Sequence, residues 1–269
     1  MRPTLLMISA AAALAAATPP SGGAAAQAPT PQAPAGWTGE LWPRGGLADS
    51  NSGGQTGAGL FDGAVTLPLG AGFTAKGEAQ TSALGGADSN GGKLQLWWQD
   101  PALGLLGVIA ETARSDGLWQ RRYIAQGELY LGPFTLRTQA GYVPGDREGT
   151  RGLEGGLFGL ASGGWYPLDA LGLNLGGASQ AGKGAGFGNV EWAPGFLPPG
   201  SSFTADGAGG ADGFLLAVVG VRFTFGPGAG GTVRQRQVGS APGFPSLVVG
   251  PFGTRALGPA AAGRDPNSF

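Results

Sequence analysis

The chain has 269 residues, of which 56 are glycine and 21 proline; only 12% are charged, and the formal net charge is −1. It contains no cysteine and no histidine. These counts exclude disulfides, thiolate metal sites and every catalytic arrangement built on a histidine base. They leave carboxylates as the remaining side chains for a metal, and they argue against nucleic acid as a partner.

Arg2 precedes an apolar run from Leu5 to Ala17, and Ala24-Ala25-Ala26 follows as an A-x-A-type cleavage site. Residues 1–26 therefore read as a signal peptide for export. Residues 27–36 form a Pro/Ala-rich lead-in. Beyond the leader no stretch approaches the roughly 18 consecutive apolar residues of a transmembrane helix.

From residue 37 a period governs the sequence. Pro68, Pro101, Pro133, Pro167 and Pro199 are spaced by 33, 32, 34 and 32 residues, each in a short turn segment. Between them lie segments rich in Gly, Asp, Asn and Ser: ADSNGG, RSDG, PGDREG, QAGKGAG and GGADG. Two kinds of connection thus alternate. Two strands of about ten residues with a turn and a loop make one such unit, a repeated β-hairpin. Period-2 alternation supports the strands. Lys93, Gln95 and Gln99 oppose Leu94, Leu96 and Trp98, and Phe134 and Leu136 oppose Thr135 and Arg137. In the last segment Leu215, Ala217, Val219, Val221, Phe223 and Phe225 oppose Arg222 and Thr224. The pattern predicts strands over 37–47, 57–67, 72–83, 93–99, 104–114, 119–131, 134–143, 151–165, 171–180, 186–195, 202–208 and 213–225. The expected fold is all-β, an up-and-down antiparallel transmembrane β-barrel over 37–226 with about 12 strands, or 10 if Pro43 breaks the first. The alternative is a soluble periplasmic β-sandwich acting as a binding module. Residues 227–269, rich in Gly, Pro and Ala, read as a disordered periplasmic tail.

In a barrel the polar faces point into the lumen. They carry Lys76, Glu78, Lys93, Glu111, Arg122, Glu128, Arg137, Glu154, Glu191 and Arg222, five charges of each sign. Such charges can pair across strands. Trp98, Trp119, Tyr123, Tyr142, Trp192 and Phe225 are candidates for interfacial girdles on the lipid side. Asp49, Asp88, Asp116, Asp146 and Asp212 fall in the segments read as loops. Asp49 and Asp88 are the weak metal candidates, through which divalent ions could bridge lipopolysaccharide phosphates; the plainer reading is that Asp favours turns.

The segments Gly39-Glu40-Leu41, Gly127-Glu128-Leu129-Tyr130-Leu131-Gly132, Trp165-Tyr166-Pro167, Glu191-Trp192 and Gly220-Val221-Arg222-Phe223-Thr224-Phe225-Gly226 resemble those of the porin-like outer-membrane barrels of proteobacteria that have no assigned activity. The resemblance spans roughly residues 37–240 and implies a closed barrel in the outer membrane, contacting its lipid, but no substrate. Two functions are consistent with the residues, neither enzymatic nor dependent on a cofactor. One is porin-like passive passage of small polar solutes; the other is a non-conducting structural or envelope-interaction barrel. Oligomeric state is open.

Overall fold

The computed structural model describes residues 36–237, apart from 51–53, 85–86, 116–117, 149–150, 154, 211–212 and 230. The segment read as an export leader with a cleavage site lies outside the described residues, as do Asp116, Glu154, Asp212 and residues 238–269.

Twelve strands close into one antiparallel barrel. In chain order they are β1 (Thr38–Ser50), β2 (Gly54–Gly70), β3 (Phe73–Leu84), β4 (Ala87–Asp100), β5 (Gly104–Ser115), β6 (Leu118–Leu131) and β7 (Phe134–Val143), then β10 (Gly156–Leu168), β11 (Leu171–Gln180), β12 (Lys183–Trp192), β13 (Ser201–Gly210) and β14 (Leu215–Phe225). Between β7 and β10 a small separate hairpin intervenes, formed by β8 (Asp146–Glu148) and β9 (Arg151–Leu153). Each barrel strand pairs with its neighbours in sequence, and β1 closes onto β14. A single closed sheet of this kind rules out the sandwich alternative, which needs two packed sheets.

The closing seam shows how Pro43 is accommodated inside a strand. The β1–β2 register runs unbroken through Pro43↔Phe61, whereas the β1–β14 register passes from Leu41↔Phe223 to Arg44↔Gly220. The missing backbone N–H interrupts one ladder and leaves the other intact, so β1 persists and the count is twelve.

The two ends of the barrel differ. The turn end carries both chain ends of the barrel and the connections near the periodic prolines, of which Pro101, Pro133 and Pro199 lie in turns while Pro68 and Pro167 lie on the ends of β2 and β10; the loop end carries the other connections. Loop-end connections are shorter than the composition suggests, because the strands run on into them. Both ADSN motifs lie largely on strands: Ala48, Asp49 and Ser50 end β1, and Ala87 to Asn90 begin β4. The QAGKGAG segment is strand except for a two-residue turn, Ala181–Gly182, whose φ angles of 48° and 81° require left-handed backbone at both positions. That geometry matches the twist of a tight hairpin. The expected strand over 151–165 is split, its first residues forming β9 outside the barrel.

Alternation sorts the faces. Outward positions are apolar and exposed: Val65, Leu94, Leu96, Leu106, Val108, Leu129, Leu136, Leu157, Leu175 and Val219 are all more than a third accessible, with Leu94 at 69%. So many exposed large apolar side chains on one continuous surface are incompatible with water around it and fit hydrocarbon. Aromatics rim this band. Phe73 pairs with Trp98, Phe134 with Trp165 and Trp192 with Phe203 at the turn end, and Tyr123 pairs with Tyr142 towards the loop end. All six girdle candidates, Trp98, Trp119, Tyr123, Tyr142, Trp192 and Phe225, are exposed on the outer wall. Along β7 the distance from Phe134 to Tyr142 is about 27 Å of strand, or about 20 Å along the barrel axis at a tilt near 40°. That is close to the height of an outer-membrane apolar band.

Candidate functional site

The inner wall is the candidate site, and it combines ion pairs with two buried apolar clusters. Inward side chains form ion pairs across neighbouring strands, and the turn-side half also buries a small cluster of Trp97, Leu105 and Tyr130. Glu78 on β3 receives Lys93 of β4 at 3.0 Å and Lys76 at 4.0 Å, and Lys76 also reaches Glu40 of β1 at 3.4 Å. Arg122 lies 2.8 Å from Glu111, Arg137 2.6 Å from Glu128 and Arg222 2.9 Å from Glu191. Register explains the first two: Glu111↔Arg122 and Glu128↔Arg137 are directly opposite residues. Nine of the ten charges singled out from the sequence thus face inward and have an opposite charge within reach; Glu154 is outside the described residues.

Sequence reading missed a second group. Arg44 forms an ion pair with Asp62 and approaches Asp206 at 3.8 Å, and Asn189 donates a 2.7 Å hydrogen bond to Asp206. Trp42 lies beneath two guanidinium groups, Arg44 at 3.9 Å and Arg222 at 4.0 Å from its ring centroid. The signal was present in the alternation, since Phe61 and Val65 flank Asp62 on the opposite face.

A larger apolar cluster, most of it in the loop-side half, corrects the expectation of a uniformly polar lumen. Leu60, Ile109, Ile124, Phe158, Leu160, Phe187, Leu216 and Val218 point inward and pack into one buried cluster. Arg122 lies over the Phe158 ring at 5.4 Å, and its pair with Glu111 sits on the loop side of Ile109 and Ile124. The inward side chains fill the barrel where a wide porin would hold water.

The turn-side mouth holds a further segment. The chain turns sharply after β14, with Ala229 N–H donating to Gly226 O at 3.0 Å and Gly228 N–H to Trp37 O at 3.1 Å. It then re-enters the barrel as a short helix, α1 (Val233–Arg236), opened by a capping box in which Thr232 and Gln235 bond each other's backbone. The expectation of a tail disordered from residue 227 therefore fails as far as Gln237. Val233 N–H donates to Asp169 O at 2.9 Å. Val233 is fully buried against β11, where a Cβ at Gly172 would come within 2.9 Å of it. Arg234 donates to the carbonyls of Gly132 and Phe134 and lies over the rings of Tyr130 and Tyr166. Burial lowers its pKa from the ordinary arginine value, and the two tyrosines act in the opposite direction.

Gln237 is the centre of the seat. Its side-chain oxygen accepts from Tyr166 at 2.9 Å and Asn174 at 3.0 Å, its amide donates to Glu191 at 2.7 Å, and its backbone carbonyl accepts from Arg137 at 3.1 Å. Glu191 also receives Ser202 at 2.7 Å and Arg236 at 3.3 Å. One buried carboxylate thus ties β12, β13, β14 and the tail together. Nothing in the composition of the tail distinguishes these residues in advance, because their partners lie 45 to 102 residues away in sequence and follow no motif.

The acidic residues suggested for metal do not assemble. Asp49 is on β1 opposite Leu215 and Gln55, and Asp88 is on β4 opposite Ala83, three strands further round the wall. Asp146 begins β8. Among the described residues no three acidic side chains come together as a metal site.

No known protein family and no curated protein matches the sequence. Solved structures do match. The KdgM porin aligns with a TM-score of 0.51 at 9% identity over 70% of this chain and 99% of its own, and its complex with disordered oligogalacturonate with 0.52 at 8% identity over the same shares. An outer-membrane channel from Pseudomonas putida F1 aligns with a TM-score of 0.50 at 10% identity over 72% of this chain and 97% of its own. The fold is that of outer-membrane porins and channels.

Proposed function

We propose that the protein is an outer-membrane channel for small polar solutes that rests closed, with its own C-terminal segment seated in the periplasmic mouth. The membrane reading is supported by the apolar outer band between aromatic rims, by the barrel fold and by the leader-like N-terminus. The turn end faces the periplasm, where both ends of a bacterial barrel chain lie. The observation that carries the channel reading is the Gln237 seat. Most contacts of the seated segment are polar and can be replaced by water when it leaves, with Val233 as its fully buried apolar anchor. Displacing it opens a mouth lined by Glu128, Arg137, Glu191 and Arg222, polar and balanced in charge.

The apolar layer favours a second reading, a non-conducting structural barrel. Packed Leu, Ile and Phe across a narrow lumen exclude water and ions. Planar-bilayer recording decides between the two. Full-length protein should show rare, brief openings, and Gly172→Leu, which crowds Val233 out of its place, should show frequent discrete steps. Silence from both proteins over many verified insertions would reject the channel and leave the structural barrel.

A further inference from the structure

The outer wall is not uniformly convex. Across β2 to β5 one hydrogen-bonded row contains unusually small outward residues: Gly63↔Ala79, Ala79↔Gly92 and Gly92↔Thr112, with Arg121 of β6 opposite Thr112 at its end. The adjacent row on the turn side alternates in height, with Val65, Leu94 and Tyr123 standing on either side of Gly77 and Ala110, so the trough extends into it at Gly77. Together they form a groove of about 670 Å³ on the lipid-facing surface. Four inter-strand spacings separate Gly63 from Arg121, about 19 Å of groove. A Cβ built on Gly63 or Gly77 meets nothing closer than 3.7 Å, so the trough is open space that larger side chains would fill.

Charge marks one end of it. Arg121 is exposed on the outer wall and has no ion-pair partner among the described residues. Arg114, also exposed, is opposite Trp119 on the neighbouring strand and lies 5.8 Å from its ring centroid. Arg114 and Arg121 are therefore diagonal cross-strand neighbours, with backbones about 7–8 Å apart. Both guanidinium groups can reach a single phosphate. Arg121 is three residues from the loop end of β6, just beyond the Tyr123–Tyr142 pair. A cation on an outward face is costly within hydrocarbon and inexpensive at its edge, where a headgroup can neutralise it.

We infer that this groove binds one lipid A moiety of lipopolysaccharide, with an acyl chain along the Gly63–Ala79–Gly92 floor and a phosphate held by Arg114 and Arg121. The loop end selects this source of phosphate and acyl chain, since it faces the outer leaflet. Arginine matches phosphate through paired N–H donors and requires no bridging metal ion. The inference rests on the barrel spanning the outer membrane, and it is independent of whether the lumen conducts.

Native mass spectrometry of the full-length protein, refolded in detergent and mixed with equal amounts of lipid A and phosphatidylglycerol, tests it. Wild type should retain one lipid A in preference to phosphatidylglycerol. Arg114→Gln/Arg121→Gln should weaken retention roughly tenfold, the loss of charge-assisted hydrogen bonds to one phosphate. Gly77→Leu, which fills the trough and leaves both arginines, should weaken it as well. Retention unchanged in the double arginine variant, or equal retention of both lipids by wild type, overturns the proposal. The arginine variants alter only exposed side chains, so heat-modifiable gel mobility should match wild type. That mobility and bilayer conductance are read separately, so a failed lipid site is distinguishable from a failed membrane or channel reading.

Discussion

Glu191→Gln is the most informative perturbation of the lumen. The carboxylate is 1% exposed and accepts from Ser202, Arg222, Arg236 and Gln237. Glutamine preserves the shape and one acceptor oxygen but removes the charge. It leaves the Arg222 guanidinium, itself 2% exposed, without the partner it has at 2.9 Å. Breaking a buried pair in this way costs about 3–5 kcal/mol. The remaining negative charge of Glu40, Asp206 and Asp62 acts on Arg222 and places the expected loss at the lower end, about 3 kcal/mol. Replacing both partners, as in Glu191→Leu/Arg222→Met, should recover most of that loss, because neither charge is then left unpaired. Urea unfolding in lipid vesicles, followed by tryptophan fluorescence, measures both variants and yields the coupling. A loss below about 1 kcal/mol for Glu191→Gln would refute the reasoning. It would mean that water reaches the pair, so that the lumen is hydrated where the structure shows it packed.

Three further outcomes are expected. Gly172→Leu should expose Arg234 and Arg236, so that trypsin cleaves there several-fold faster than in wild type while the barrel keeps its folded mobility on gels. Leu94→Arg, at the middle of β4 on the lipid face, should lower stability by about 2–4 kcal/mol in bilayers, whereas Gln95→Glu on the inner face, directly opposite Lys76, should cost much less. Phe158→Ala should cost about 3–5 kcal/mol through the cavity it leaves in the apolar layer, read by the same urea titration; if Gly172→Leu conducts, the double variant should conduct more.

The alternation of side chains determined much of this protein in advance. A strand offers two faces at a fixed period of two, so Lys93 and Leu94 had to part, and Glu111 and Arg122 had to share a face, whatever the sheet became. The proline period likewise marked the turn end of the meander, although Pro68 and Pro167 lie on strand ends there and not in turns. Strand ends were less legible, since the Asp, Asn and Ser of ADSN suit a turn and are equally tolerated where a strand emerges from the bilayer. Pro43 could be placed only once its two ladders were distinguished. The tertiary structure alone decided what lies inside the barrel. A period-2 pattern separates faces but does not say how far the opposite wall is, and closure at twelve strands made Leu60, Phe158 and Phe187 a packed layer. It also brought Gln237 to Glu191 and Val233 to Gly172, contacts between a compositionally plain tail and strands laid down much earlier. Local sequence specifies which way a side chain points; only the closed barrel specifies what it meets there.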